Sequence, residues 1–336
     1  MNGYENSIYY KICNVYIIII LSFAVATRIF GFGPDYLSYK EIFSASKTSI
    51  EPFFSFLRNI NLILFHGNIF TIYFCVSVIA LILKFEFISA YAHNTIFSLM
   101  FYICTFFFLH EYTQFRAAVA IGIFFSSLGD ISHHRLGHYI FKTIIAFLFH
   151  YSAVLMLVIY FYCNGIKARG KNYLLFPWAV FIFDVLFSER IRNINFLGGI
   201  VQNISQQKNY LRIAILYFER HKGHFETGPT VFNKVYLSVL LICSFVYYAY
   251  NGFKEKKYEN DYLLFKILSF TVFSFYFFLN FPFPVLAFRV SEYFFPVISV
   301  ILPNLIIRIR EKQMFFIIIW IYVFLLSYLF LTRTTL

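Results

Sequence analysis

The sequence predicts an all-α, polytopic membrane protein, and three observations support this class. Of its 336 residues, 60% are hydrophobic and only 13% are charged, and the mean hydropathy is +0.70. A soluble domain of this length cannot bury so much apolar surface. The apolar runs are long and continuous rather than alternating, which favours membrane helices over membrane-spanning strands.

About ten apolar runs approach the length of about 20 residues that crosses a bilayer. They lie at 12–30, 68–85, 94–110, 113–129, 139–163, 172–188, 232–251, 262–281, 285–307 and 314–332. Residues 1–336 are expected to form a single integral membrane domain. The five cysteines are scattered through apolar runs, so we expect free core residues rather than disulfides or zinc ligands.

The basic connectors between the runs set the topology, because short loops rich in Lys and Arg stay in the cytoplasm. If 139–163 crosses the membrane once, the basic connectors at 167–171 and 254–257 fall outside, against this rule. If it enters and returns as two half-helices, every basic connector falls inside and His150 lies at the turn. Non-helical backbone at that depth occurs where it lines a cavity. We therefore expect a re-entrant or broken helix around His150, with an ordinary single span as the alternative.

Two hydrophilic stretches then face the outside as loops, residues 31–66 and the larger 189–231. In the first, Glu51-Pro52 opens an amphipathic stretch, and a proline at the first helical position predicts an interfacial helix over 53–65. The second stretch is rich in arginine, the residue best suited to planar recognition of phosphate. Arg190 and Arg192 in that stretch are accordingly predicted to bind substrate.

Arg116 stands at the start of an apolar helix, where a guanidinium is costly. The group cannot lose its proton, and at the centre of a membrane helix it costs about 2.5–3.5 kcal/mol. With Thr113 as N-cap, Arg116 falls in the first turn, where the helix dipole favours an anion rather than a cation. A bound phosphate there would reverse this disadvantage. The alternative is a short-range ion pair with Glu111.

Arg289 is the second arginine of this kind, in a proline-rich segment that predicts a helix starting or kinking in the membrane. Glu292 and Tyr293 share its helix face at i+3 and i+4. The alternative to a substrate site here is a structural pair between Arg289 and Glu292.

Three kinds of side chain remain as candidates for sugar chemistry. His150 is the only histidine within a long apolar run, and its imidazole suits a general base that removes a proton from a hydroxyl. Asp35, Tyr36 and Tyr39 follow the first span, where a carboxylate and aromatic rings can contact sugars. The alternatives are a core histidine bonded to a backbone carbonyl and a helix-capping aspartate turn.

These short motifs, in this order, resemble the EpsG family of membrane proteins, which belongs to the broader Wzy-type polysaccharide polymerases. The resemblance covers residues 28–303. The motifs are Asp35 with Tyr36, Tyr39 and Phe43, then Glu51-Pro52-Phe53, then Arg116, then Phe149-His150-Tyr151-Ser152, and finally Arg289 with Tyr293-Phe294.

The resemblance implies a GT-C-like integral-membrane glycosyltransferase in the cytoplasmic (inner) membrane of a bacterium, with its active site facing outward. It would polymerise oligosaccharide repeat units carried on polyprenyl diphosphate, for O-antigen, capsule or exopolysaccharide. It implies no metal ion, no cofactor and no nucleic acid. The partners would be the lipid-linked oligosaccharide, membrane lipid and a chain-length regulator protein.

In this interpretation Arg116 and Arg289 hold the departing diphosphate, and His150 or Asp35 activates the acceptor hydroxyl. Tyr36, Tyr39, Glu51 and Tyr293 are counted, with Arg190 and Arg192, among the substrate contacts.

Three other classes stay open. A transporter or flippase of lipid-linked oligosaccharide would also need intramembrane arginines and broken helices, but the sequence shows no internal repeat. A membrane acyltransferase would use His150 as its base and pair it with a carboxylate, and no Asp or Glu lies near His150 in sequence. In a non-catalytic assembly subunit, the arginines would only dock neighbouring helices.

Overall fold

The computed structural model describes residues 8–29, 31, 36, 39–40, 51–165, 170–193, 231–279 and 285–309. Within these ranges all regular secondary structure is helical and no strand occurs, so the predicted all-α class is confirmed. The chain divides into two compact units, one within Met1–Gly165 and Ile298–Leu336 and the other within Ile166–Val297.

The helices are numbered here in chain order. The first unit contains α1 (Ile8–Thr27), α2 (Pro52–Phe65), α3 (Ile69–Tyr91), α4 (Thr95–Tyr102), a π-helical segment (Ile103–Thr113), α5 (Phe115–Ser126), α6 (Leu128–Ser132), α7 (Leu136–Phe149), a 3₁₀ turn (Tyr151–Val154) and α8 (Leu155–Asn164). The second contains α9 (Gly170–Asn193), α10 (Lys234–Ala249), two 3₁₀ turns (Asn251–Phe253 and Lys256–Tyr258), α11 (Glu259–Leu279), α12 (Val285–Phe294) and a 3₁₀ turn (Phe295–Val297). The chain returns to the first unit in α13 (Ile298–Arg308).

In the first unit, α3 and α5 form the centre. α3 packs against α1 and α5, and α5 packs against α7. A glycine allows the close approach of α3 and α5, because a Cβ added at Gly122 would lie 3.0 Å from the Leu83 Cβ. Small residues serve this purpose at contacts between membrane helices. Next to this contact the rings of Phe87 and Phe125 stack with centroids 4.3 Å apart.

The chain reverses direction at His150, so α7 and α8 form a hairpin. His150 has extended backbone angles (φ −157°, ψ 122°) between the two helices. Across the hairpin the Tyr139 hydroxyl donates to the Met156 carbonyl at 2.6 Å. At the end of α8 the Asn164 amide donates to the Ile131 carbonyl of α6 at 3.1 Å. The break matches the predicted broken helix. Because α7 has 14 residues, it is only about 21 Å long at 1.5 Å per residue.

Six of the described helical segments are long and apolar enough to cross a membrane, which supports a multi-pass membrane protein. They are Ile69–Tyr91, Thr95–Thr113, Phe115–Ser132, Gly170–Phe187, Glu259–Leu279 and Leu286–Arg308. The predicted number of ten spans stays a prediction, and its last segment, 314–332, lies outside the described residues. The GT-C-like architecture, the single domain and the external position of 31–66 and 189–231 also stay predictions.

We expect both ends of the α7–α8 hairpin to lie on the cytoplasmic side. In a cysteine-free background, Gly137→Cys and Asn164→Cys should react with an impermeant maleimide from the same membrane face. Gly137 suits this use because it is exposed and an added Cβ there meets no atom within 4 Å. Labelling of the two positions from opposite faces would instead establish an ordinary single span.

In the second unit, α11 packs against α9, α10 and α12. The Tyr236 and Phe275 rings stack with centroids 3.6 Å apart, and the Tyr236 hydroxyl is hydrogen-bonded to Ser291. Trp178 donates its indole N–H to the Ser244 hydroxyl at 2.8 Å. Such bonds satisfy polar groups that would otherwise be costly in an apolar interior.

Candidate active site

Glu51 lies at the centre of the candidate site. It directly precedes α2, whose first residue is Pro52, as the sequence predicts. Its side chain makes no capping hydrogen bond to the helix. It turns instead toward Arg116 and His150, one carboxylate oxygen to each. Only 5% of the carboxylate side chain is exposed, so its two partners replace most of its water.

Arg116 is the ion-pair partner of Glu51. Its Nη1 lies 2.5 Å from Glu51 Oε2, and its guanidinium carbon lies 5.1 Å from the centroid of the Tyr39 ring. The side chain remains 23% exposed, so it is reachable from outside the protein. An arginine–carboxylate bond at this distance is charge-assisted and strong.

Two expectations about Arg116 need correction. The N-cap of α5 is Gln114 rather than Thr113, because the π-helical segment runs on to Thr113 and the Thr113 hydroxyl donates to the Phe108 carbonyl. Arg116 still falls in the first turn of α5. Its acidic partner is Glu51 rather than Glu111, so its position at a helix start does not by itself require an anionic ligand.

Glu111 is engaged elsewhere in the core of the first unit. It forms a fully buried ion pair with Lys84, and the Tyr102 hydroxyl donates to the same carboxylate at 2.8 Å. A buried pair with an additional hydrogen bond satisfies charges that would otherwise be expensive in an apolar interior. Glu111 lies on the π-helical segment, whereas Lys84 lies on α3, and π-helical segments often occur near functional sites.

His150, at the tip of the hairpin, is the second partner of Glu51. Its Nδ1 lies 3.1 Å from Glu51 Oε1. Because an ionised carboxylate only accepts hydrogen bonds, Nδ1 is the donor, and in the neutral imidazole Nε2 then carries the lone pair. The side chain is 30% exposed. This arrangement of a carboxylate, an imidazole and an accessible nitrogen is that of an oriented general base.

The charges around Glu51 keep its carboxylate ionised. Burial alone raises the pKa of Glu51, but the hydrogen bond with His150 and the positive charge of Arg116 outweigh burial and lower it. A carboxylate that stays ionised can stabilise an imidazolium formed when His150 takes up a proton.

An aromatic cluster beside Arg116 connects it to a second arginine. Phe115 contacts Tyr39 and Tyr73, with ring centroids 4.4 and 4.6 Å apart. Arg28, directly after α1, places its guanidinium carbon 3.8 Å from the centroid of the Tyr73 ring. Arg28 was not among the predicted site residues. Its position at the end of the first span was the only signal in the sequence.

The structure brings some of the predicted site residues together. Arg116, His150, Glu51 and Tyr39 form one site, and Tyr36 stacks against Tyr73 at 6.2 Å in the same cluster. Their roles in catalysis and substrate binding stay predictions.

The other predicted site residues are either outside the described residues or in the second unit. Asp35 and the side chains of Arg190 and Arg192 lie outside the described residues. Arg289 and Tyr293 belong to α12 of the second unit, where Arg289 is exposed and Tyr293 is buried. Within the described part of the chain Arg289 makes no ion pair, so the predicted Arg289–Glu292 alternative is not formed.

The comparisons place the chain in a family. The model of the EpsG family matches residues 11–335, nearly the whole chain, whereas no curated protein and no solved structure matches it. The match and the apolar helices together indicate a membrane protein of polysaccharide biosynthesis. The chain therefore belongs to the EpsG family, a Wzy-like family of polysaccharide polymerases.

Proposed function

We propose that this chain polymerises lipid-linked oligosaccharide repeat units. It would transfer a glycan from a polyprenyl-diphosphate carrier to an acceptor sugar hydroxyl, on the outer face of the bacterial cytoplasmic membrane and without a metal ion. Family membership supports the polymerase role. The observation that carries the chemistry is the bridge made by Glu51, whose two oxygens hold His150 and Arg116.

In the proposed reaction His150 is the general base. Its Nε2 takes the proton of the acceptor hydroxyl while the oxygen bonds to the anomeric carbon of the donor sugar. The bond between that carbon and the diphosphate oxygen breaks, and the electron pair leaves with the lipid diphosphate. Glu51 holds the imidazole through Nδ1 and balances the imidazolium that forms. Positioned bases of this kind contribute about 10²–10⁴-fold to a rate.

Arg116 would contact the leaving diphosphate. Charge grows on the diphosphate as the glycosidic bond breaks, and a fixed guanidinium stabilises this charge better than water, by about 3 kcal/mol for one well-placed donor. Arg116 has in-plane N–H groups beyond the one used by Glu51, so it can serve both partners. Asp35, Arg289, Arg190, Arg192 and Tyr293 remain proposed contacts of the same substrate.

A membrane acyltransferase is the second candidate, because the pairing of His150 with a carboxylate is the feature that this class requires. The carboxylate is that of Glu51, which is 99 residues away in sequence. Family membership favours the polymerase.

Reconstitution separates the candidates. We expect the purified protein in nanodiscs to convert a lipid-linked repeat unit into polymer without any nucleotide sugar or acyl donor. Movement of the lipid-linked unit across vesicles without bond formation would instead support a transporter. Modification only in the presence of an acyl donor would support the acyltransferase.

A further inference from the structure

Arg28 is a buried cation in an aromatic cage. Only 7% of the residue is exposed. Its guanidinium carbon lies 3.8 Å from the ring centroid of Tyr73, 4.7 Å from that of Tyr112 and 5.6 Å from that of Tyr36. Its Nη1 donates to the Tyr112 carbonyl. Ring faces stabilise a cation by about 0.5–2 kcal/mol, but they leave the N–H groups at its edge in need of oxygen acceptors.

Among the described residues Arg28 forms no ion pair, whereas Arg116 is paired with Glu51 and Lys84 with Glu111. An isolated buried charge is expensive because it loses its water without gaining a counter-ion. Proteins retain such a group where an anion binds it.

Two buried N–H donors point to the same conclusion. The Nε atoms of Arg28 and Arg116 are both buried, and neither has a hydrogen-bond acceptor among the described residues. Buried donors are nearly always satisfied, so each exception calls for an explanation such as an ion. Both arginines contact one aromatic cluster, because Tyr73 under Arg28 and Tyr39 beside Arg116 are 6.4 Å apart at their centroids.

The backbone at Arg28 is also unusual. Its φ is +56°, in the left-handed region that residues other than glycine seldom adopt. This conformation immediately follows the end of α1, where the chain places the arginine in the cage instead of continuing the helix. Such local strain persists when surrounding contacts hold it in place, and it is common at ligand-binding positions.

We infer that Arg28 is a further phosphate-contacting residue of the candidate active site. Arg28 and Arg116 would together bind the diphosphate of the lipid carrier, with unpaired N–H groups donating to phosphoryl oxygens. Among the described residues, the two arginines and Glu51 give this site a net positive charge with His150 neutral, which suits a diphosphate better than a neutral sugar. The identity of the ligand rests on the proposed function, whereas the argument for an anion rests on burial and charge alone.

A binding experiment tests this inference separately from catalysis. The purified full-length protein is placed in phosphatidylcholine nanodiscs and titrated with polyprenyl diphosphate and, in parallel, with polyprenol. We expect the diphosphate to bind the wild type far more tightly than polyprenol. Arg28→Gln, which keeps an N–H group for the Tyr112 carbonyl, should weaken diphosphate binding by about 10- to 100-fold, the range expected for a lost charged hydrogen bond.

Control variants distinguish a loss of diphosphate binding from a loss of folding. Arg28→Lys should bind with an intermediate affinity, because lysine keeps the charge but lacks the planar fork. Arg135→Gln, which changes an exposed arginine of the same unit, should bind like the wild type. The melting temperature of each variant is recorded, and if Arg28→Gln does not fold, the comparison is made with Arg28→Lys.

The outcomes are separable. His150→Ala should keep wild-type affinity for the diphosphate, so a failure of the polymerase proposal would appear as absent polymer with binding intact. The inference about Arg28 is overturned if Arg28→Gln, or Arg28→Lys when only that variant folds, binds the diphosphate as the wild type does. It is equally overturned if polyprenol binds as tightly as the diphosphate. A third contradicting result is loss of diphosphate binding in nanodiscs that also contain phosphatidylglycerol, because any anionic lipid would then occupy the site.

Discussion

Glu51→Gln is expected to reduce polymer formation by at least about 100-fold, because one buried carboxylate serves two partners. Glutamine has nearly the same shape but no charge, so Arg116 loses its counter-ion and His150 loses the group that balances its imidazolium. Removing one partner of a buried ion pair costs about 3–5 kcal/mol in a fully buried setting. Because Arg116 is partly exposed, the free energy of unfolding should fall by less than the activation free energy of polymer formation rises.

The measurement is the rate of polymer formation by purified variants in nanodiscs. Glu86→Gln, which changes an exposed glutamate on α3, is the matched control and should retain wild-type activity. Burial raises the pKa of Glu51, but His150 and Arg116 outweigh burial and hold this pKa below its ordinary value. The carboxylate is therefore ionised throughout the neutral range, so the titration of Glu51 itself should add no pH dependence to the wild-type rate between pH 6 and pH 8. Full activity in well-folded Glu51→Gln would remove this carboxylate from the mechanism.

Arg116→Ala is expected to abolish long polymer in cells while single repeat units accumulate on the lipid carrier. The reason is the loss of about 3 kcal/mol of stabilisation from the leaving diphosphate, equivalent to about 100-fold in rate. Arg116→Lys should rescue poorly, because a lysine cannot bind a carboxylate and a phosphate through one planar fork. The polymer ladder on a gel reports both outcomes, with expression levels matched.

The double variant Glu51→Gln with Arg116→Ala tests whether Arg116 does more than pair with Glu51. If neutralising the carboxylate is its only role, Arg116→Ala should cost no further activity in the Glu51→Gln background. We expect the double variant to be slower than Glu51→Gln alone, because the diphosphate would also lack its guanidinium. Equal rates for the double variant and Glu51→Gln would reduce Arg116 to a structural residue.

The local features of this fold could be predicted from the sequence. The apolar runs predicted the main helices, and Pro52 predicted the start of α2. The basic connectors predicted a break at His150, because any simple crossing there conflicts with the charge distribution. These features depend on neighbouring residues or on overall topology, and both can be recognised in a single chain.

The partners of the charged side chains could not be predicted in this way. Glu51 is separated by 65 residues from Arg116 and by 99 from His150, so their contact depends on how α2, α5 and α7 pack. Glu111 lies five residues before Arg116 and suggested a local pair, yet it is paired with Lys84 in the core. The π-helical geometry of residues 103–113 changes which way each side chain faces, and no periodic pattern in the sequence indicated it.

His150, oriented by Glu51, is the proposed base that activates the acceptor for transfer from a lipid diphosphate. The most direct test measures polyprenyl diphosphate released and glycosidic bonds formed by purified wild type and His150→Ala in nanodiscs. We predict one diphosphate per bond in the wild type and a rate about 100-fold lower in His150→Ala, with binding of the carrier unchanged. Bond formation by His150→Ala at the wild-type rate would exclude His150 as the base, and polymer without diphosphate release would exclude the lipid diphosphate as the leaving group.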